Sequence, residues 1–319
     1  MMYFYTLISL PVFSSVIFHV FVYPLSRLPL RFLYGLADLF YILLITIFPY
    51  RKNVIIRNLQ RAFPDKNPAE IRLLQKKFYR HLADLLAEGI NNLSISKEEL
   101  SKRVRVVNPE ILDELYIKGK SVILVAGHYN NWEWMITSQN DLFPHQAIGI
   151  GKPLKNGFWD QKLNQLRGRY GMLIAHAKNF KEILESQQNK PVSVLVLTDQ
   201  SPRNGRRSYW MTFLHQDTPV LFGAEMMAFT YDYAVVYYTM TKVRRGFYEI
   251  TLQTITEAPR LTSWGDITEA HTRLLEKDIL EAPEYWLWSH KRWKKVVPED
   301  LDLLKTEQKR DFDRKFGKE

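Results

Sequence analysis

The sequence predicts an α/β fold: a layered αβα domain around a mostly parallel central sheet, preceded by an amino-terminal membrane-anchor helix. Three observations lead there. Apolar β-type runs alternate with helix-period segments from Val104 onward, the order that builds a largely parallel sheet. At 319 residues, 46% hydrophobic and 24% charged, the chain suffices for one sizeable domain with a small attachment. An uncharged apolar stretch opens it. The expected division is 1–49 for the anchor and an interfacial helix, 50–295 for the domain, and 296–319 for a charged tail.

Met1 to Pro24 carries no formal charge, and FYTLISLPVFSSVIFHVFVY is interrupted only by Pro11 and His19. A span needs about 20 apolar residues. A secretory signal would put basic residues before the run and small ones at its end, and neither is present. Arg27, Arg31, Arg51, Lys52, Arg57 and Arg61 follow, which places that side in the cytoplasm. The expectation is a single uncleaved anchor with the domain facing the cytosol. A second apolar segment, Phe32 to Pro49, carries Asp38 and reads as an interfacial or re-entrant helix. The alternative is that both segments are core helices.

Asn67, Pro68 and Glu70 form a capping signal. Behind it, Ile71, Leu74, Phe78, Leu82, Leu85, Leu86 and Ile90 recur with helical period, and His81 and Glu88 on this helix read as packing or surface residues. Strands are expected at 122–126, 147–150, 172–174, 192–197, 234–240 and 248–255, the last two as an antiparallel edge. Helices are expected at 159–169, 178–188, 223–230 and 267–280. Ligands of such sheets collect at the carboxyl ends of strands. His128 follows one such end and Asp199 another.

The chain has no cysteine, so thiol nucleophiles, disulfides and thiolate metal sites are excluded together. It also has no H-E-x-x-H zinc pair, no G-x-S-x-G elbow, no P-loop and no G-x-G-x-x-G; no metal or cofactor is expected. His128 leaves the strand just past Gly127, and Glu133, five residues on, falls in the first turn of the next helix. From there the carboxylate can reach back to the imidazole and make it a general base. A lone strand-end histidine would instead be satisfied by chance neighbours. Lys152, Lys155, Asn156, Arg167 and Arg169 supply cations and an amide in one loop and helix. Thr198, Asp199, Gln200, Arg203, Arg206 and Arg207 form a second cluster. Guanidinium groups suit phosphate or carboxylate, but polar clusters at strand ends also cap helices. A net charge of +10 and a pI near 9.5 call for a polyanionic partner. With an apolar segment at the front, an anionic membrane is a simpler partner than nucleic acid.

Blocks spread over the chain carry a family likeness: YRKNVIIRNLQRAFP, GHYNNWE, GKPLKN with LRGRYG, LTDQSPR, and PEYWLWSHKRWK from Pro283 to Lys294. In content and order they resemble those of the lipid A biosynthesis (late) acyltransferases of the glycerolipid-acyltransferase-like superfamily. The resemblance implies transfer of a fatty acyl chain from an acyl-carrier-protein thioester, or acyl-CoA, to a hydroxyl of a lipid A precursor at the cytoplasmic face of a Gram-negative inner membrane. It matches His128 to the base and Glu133 to its acidic partner. Arg167, Asp199 and Arg169 match substrate-binding positions. Two departures stand out: Asn130 where members often have glycine, and Lys152 where many have arginine.

Direct transfer without an acyl-enzyme is expected, with helix-start amides and the Asn131 side chain holding the oxyanion. Lys152, Asn156, Arg167, Gln200 and Arg203 complete the candidate substrate contacts. The alternatives are another membrane-lipid acceptor, such as a lysophospholipid, aminoacyl lipid or glycolipid, or a non-catalytic lipid- or carrier-binding membrane protein. Trp286, Trp288, Trp293 and His290 read as packing, and the tail beyond Val296 as a short solvated helix or frayed end.

Overall fold

A computed structural model describes residues 11–176, 178–187 and 189–318. Its strands are β1 (Val104–Val106), β2 (Val122–Ala126), β3 (Gln146–Ile150), β4 (Leu173–Ala175), β5 (Val192–Leu197), β6 (Tyr209–Phe213), β7 (Gln216–Val220), β8 (Ala234–Arg244) and β9 (Phe247–Thr256). Seven of them form one sheet in the order β1-β9-β8-β2-β5-β3-β4. The block from β8 to β4 is parallel throughout, so the fold is mixed α/β with a mostly parallel sheet. β2 lies at its centre, and all five of its residues are buried, as its unbroken apolar run requires.

The β8–β9 pair is antiparallel, as expected. It is not the edge, because the three-residue β1 adds outside β9 and parallel to it. A strand that short has no room to show alternation. The separate β6–β7 hairpin also escapes the sequence. Its two-residue turn, Leu214–His215, takes positive φ at both positions (49° and 63°) without the Asn-Gly type of signal that normally marks such turns. The helix expected over 178–188 contracts to Phe180–Glu185.

The Pro68–Asn91 helix begins with the predicted capping box: Asn67 accepts from two first-turn amides, and Glu70 accepts the Asn67 amide in return. Against it packs the Leu30–Thr46 helix, burying Leu30, Leu33, Ala37 and Leu44. Asp38 pins that helix to the domain through Arg245 at 2.5 Å and Arg80 at 3.1 Å. Arg245 and Lys242 both reach the buried Asp84. Phe32, Leu36, Leu39, Phe40, Ile42 and Phe48 stay exposed.

Among the described residues no single helix is long and apolar enough to cross a membrane; Val12–Ser26 and Leu30–Thr46 meet at a 117° bend. Residues 1–10 of the anchor expected over Met1–Pro24 lie outside the described residues. At the other end, Leu301–Phe316 is a docked helix: Phe312 is buried, 4.6 Å between ring centres from Phe229.

Candidate active site

β2 and β5 are parallel neighbours with Ala126 opposite Leu197, so the residues leaving their carboxyl ends emerge side by side. The Thr198 amide donates to the Ala126 carbonyl at 2.9 Å, extending the ladder by one rung. The next residues are Gly127 and His128 on one strand and Asp199 on the other. At Gly127 a β-carbon would sit 2.7 Å from both Leu275 methyls and 3.3 Å from the Asp199 carboxyl carbon. A side chain there would have to displace Leu275 and crowd the Asp199 carboxylate.

The result is a tight pair. Asp199 Oδ1 lies 2.6 Å from His128 Nδ1. Its Oδ2 accepts from the His128 amide at 3.0 Å and from the Trp286 indole at 2.8 Å. On the far side of the ring, Gln200 Nε2 is 3.1 Å from His128 Nε2. A carboxylate at Nδ1 and an amide donor at Nε2 together specify the neutral tautomer with its hydrogen on Nδ1. Burial alone would lower the imidazole pKa; the Asp199 charge and hydrogen bond outweigh it, with a smaller lift from Glu133, and the net shift is upward. Burial likewise works to raise the Asp199 carboxyl, but the imidazole, the His128 amide and the Trp286 indole hold it down at about 2. It is an ionised carboxylate with a 3% exposed side chain.

Glu133 therefore does not hold the imidazole. It does lie in the first turn of the Trp132–Leu142 helix, but its carboxylate is taken by Arg167 in a two-point contact, Nε to Oε2 at 3.1 Å and Nη2 to Oε1 at 2.5 Å. The Trp132 indole adds a third bond at 3.2 Å, and its ring packs edge-on against the His128 ring, centres 5.1 Å apart. The physical reason is strand adjacency. The neighbouring strand end brings Asp199 to Nδ1, whereas the helix start brings Glu133 to the cation on the Gly157–Gly168 helix.

Asn131 is likewise committed elsewhere. Its side chain caps the helix by accepting from the Trp134 amide at 3.0 Å and donates to Glu88 at 2.6 Å, buried on both counts. Glu88 also accepts from Tyr34 and Tyr248, so this helix residue belongs to a buried network and not to the surface. The amides of His128, Tyr129 and Asn130 are already used by Asp199, Gly127 and Tyr285; they are not open oxyanion donors. Asn130 has φ +52°, the left-handed region that favours glycine and tolerates asparagine best among the rest. Its departure from the glycine common in the resembled block is thus conformationally compatible.

The remaining candidates scatter. Asn156 caps the Gly157–Gly168 helix, accepting from the Phe158 and Trp159 amides. Lys152 is exposed. Arg169 donates to the Ile95 carbonyl at 2.9 Å and stacks over Tyr170. Arg203 lines a groove of about 740 Å³ between the loop after Gln200 and the carboxyl-terminal helix. Two residues that read as packing also hold the loop that carries Asp199. Trp286, buried beside Trp288, donates to Asp199, and His290 accepts the Ser201 amide at 3.0 Å, its pKa pushed down to about 4 by burial. The W-x-W spacing in the closing block was the only available signal for them.

A family model described as bacterial lipid A biosynthesis acyltransferase matches residues 6–295. The chain belongs to that family. No curated protein matched it. For a bacterial lipid A biosynthesis acyltransferase, the activity implied is acyl transfer to a lipid A-like acceptor. The fold offers such an enzyme one tautomer-fixed histidine at the carboxyl edge of its sheet.

Proposed function

We propose that this acyltransferase moves a fatty acyl chain directly from an acyl-carrier-protein thioester to a hydroxyl of a lipid A precursor, with His128 as general base. The observation that carries the reading is the Asp199–His128 contact of 2.6 Å, which commits Nδ1 and leaves Nε2 as the basic nitrogen. Nε2 takes the hydroxyl proton as that oxygen attacks the thioester carbon. The carbon–sulfur bond then breaks, and the imidazolium returns the proton to the departing thiolate. Asp199 stabilises the imidazolium while it exists, and the Glu133–Arg167 pair tunes the field around it. A positioned base of this kind contributes on the order of 10² to 10⁴ in rate.

Location is part of the proposal. Exposed apolar side chains concentrate between Val12 and Tyr50, with Val12, Val20, Phe21, Leu39, Ile47 and Phe48 all more than half exposed. That face suits the cytoplasmic leaflet of an inner membrane. The ion pairs of Asp38 favour an interfacial placement for the Leu30–Thr46 helix. The net charge of +10 suits both an anionic leaflet and an acidic carrier.

The test is lipid A mass spectrometry of a deletion strain complemented with wild type or His128→Ala at matched protein level. One acyl chain missing with the variant and restored by wild type is expected. Intact lipid A in the deletion, with another lipid losing a chain, would reassign the acceptor. Full complementation by His128→Ala would overturn the mechanism.

A further inference from the structure

The Gly157–Gly168 helix and the residue that follows it present Lys162, Gln165, Leu166 and Arg169 at helical spacing to one cleft of about 340 Å³. The opposite wall is the bent amino-terminal segment, through Phe18, His19 and Tyr23. Both cations in this cleft lack an acid. Lys162 sits over the Phe18 and Phe158 rings at 4.9 and 5.7 Å, without a carboxylate in ion-pair range among the described residues. Arg169 is half-buried, its Nη2 is spent on the Ile95 carbonyl, and its Nε has no partner among the described residues. A half-buried guanidinium without a counter-charge is costly unless an anion joins it. In keeping with this, burial depresses the Arg169 pKa and only the Tyr170 hydroxyl opposes it.

We infer that this cleft binds the phosphomonoester headgroup of a membrane lipid between Lys162 and Arg169. The monoester, which carries a charge of about −1.5 to −2 at pH 7, is called for by two cations without an acid partner among the described residues, Lys162 and the half-buried Arg169 guanidinium. The lipid is called for by continuity: Val16, Val20, Phe21 and Tyr23, on the segment that forms the wall, are exposed apolar side chains. A headgroup entering here would have its chains alongside that surface. The inference rests on the reading that the amino-terminal face lies on a lipid surface, but it does not depend on which reaction the enzyme performs. The same helix carries Arg167 to Glu133, so occupancy of the cleft would also steady the helix that supports the candidate site.

The experiment is vesicle co-sedimentation of the full chain, using phosphatidylcholine vesicles with and without phosphatidic acid. Lys162→Gln with Arg169→Gln should weaken binding to the phosphatidic acid vesicles tenfold or more and leave binding to phosphatidylcholine unchanged. A charge-matched control, Lys181→Gln with Lys277→Gln at strongly exposed positions, should change either by less than twofold. Equal losses from both doubles would mean diffuse attraction, and no loss from the first would mean no site; either overturns the inference. Inorganic phosphate competes for the same two cations, so at equal ionic strength it should release wild type from the phosphatidic acid vesicles more than chloride does and the double variant no more than chloride does; equal release of wild type by the two salts would overturn the inference. Failure of wild type to bind phosphatidylcholine would instead overturn the lipid-surface reading beneath it.

Discussion

Asp199 holds His128 at two points, its Oδ1 at 2.6 Å from the ring Nδ1 and its Oδ2 at 3.0 Å from the backbone amide. The second bond fixes where the side chain starts and the first fixes its tautomer. Asp199→Asn keeps an acceptor for the amide but turns an N–H toward Nδ1, which forces the ring hydrogen onto Nε2 and removes the base. The expected result is a loss in kcat on the order of 10² to 10⁴ with KM for the acceptor little changed, read from steady-state acyl transfer. A loss confined to KM would show that Asp199 binds substrate.

The pH profile follows from the same pair. The His128 pKa is raised in the folded chain, above its ordinary value of about 6.5. Activity of a general base should therefore rise with pH through an inflection above about 6.5 and then level off. The stability carried by the charged pair runs the other way: it is complete below about 6.5 and is lost as pH climbs through the folded value. Glu133 raises this pKa and Arg167 lowers it. Glu133→Gln should thus move the inflection down and Arg167→Gln should move it up. Shifts in the same direction, measured by kcat/KM against pH, would place neither charge near the ring.

Trp286 gives a third test. Its indole donates to the buried Asp199 carboxylate at 2.8 Å, a bond to a charged group that contributes about 1.5–3 kcal/mol. Trp286→Phe keeps most of the ring that packs against Trp288 and Phe213 but removes the donor. The Asp199 carboxyl should then titrate at higher pH, and the loss of folding stability should be full near pH 7 and shrink as pH is lowered through about 4 toward 2. Urea midpoints at several pH values check this; a loss independent of pH would reduce Trp286 to packing.

Much of the sheet was legible because its strands are short apolar runs bounded by loops, and Val122–Ala126 and Val192–Leu197 come out with the residues expected. What the chain could not reveal was which of two acids meets His128. Glu133 is five residues away in sequence and Asp199 is seventy-one. Only the β2–β5 adjacency decides between them, and strand order is a long-range property that no local pattern encodes. The same limit explains Asn131 and Asn156, whose sequence offers an amide near a site while their bonds cap the helices they start. Asp38 looked like a flaw in an apolar segment, and its reason lies two hundred residues away in Arg245.

That last contact leads to a prediction about the amino-terminal helix. Asp84 has a side chain only 3% exposed and faces Lys242, 11% exposed, at 2.9 Å and Arg245 at 2.6 Å. Removing it strands a nearly buried ammonium, so Asp84→Ala should cost about 3–5 kcal/mol of folding stability. Asp38 is 43% exposed, and Arg245 keeps Asp84 when it is gone; Asp38→Ala should cost no more than about 1 kcal/mol. Yet Asp38 ties the Leu30–Thr46 helix to the turn between β8 and β9, so that variant should expose the connector at Arg51 and Lys52 to trypsin well before the domain unfolds. Denaturant curves read the first pair of effects and a timed digest the second. Equal stability losses from the two variants would refute the difference drawn between the exposed and the buried acid, and a connector in Asp38→Ala as resistant as wild type would show that Asp38 does not clamp the helix.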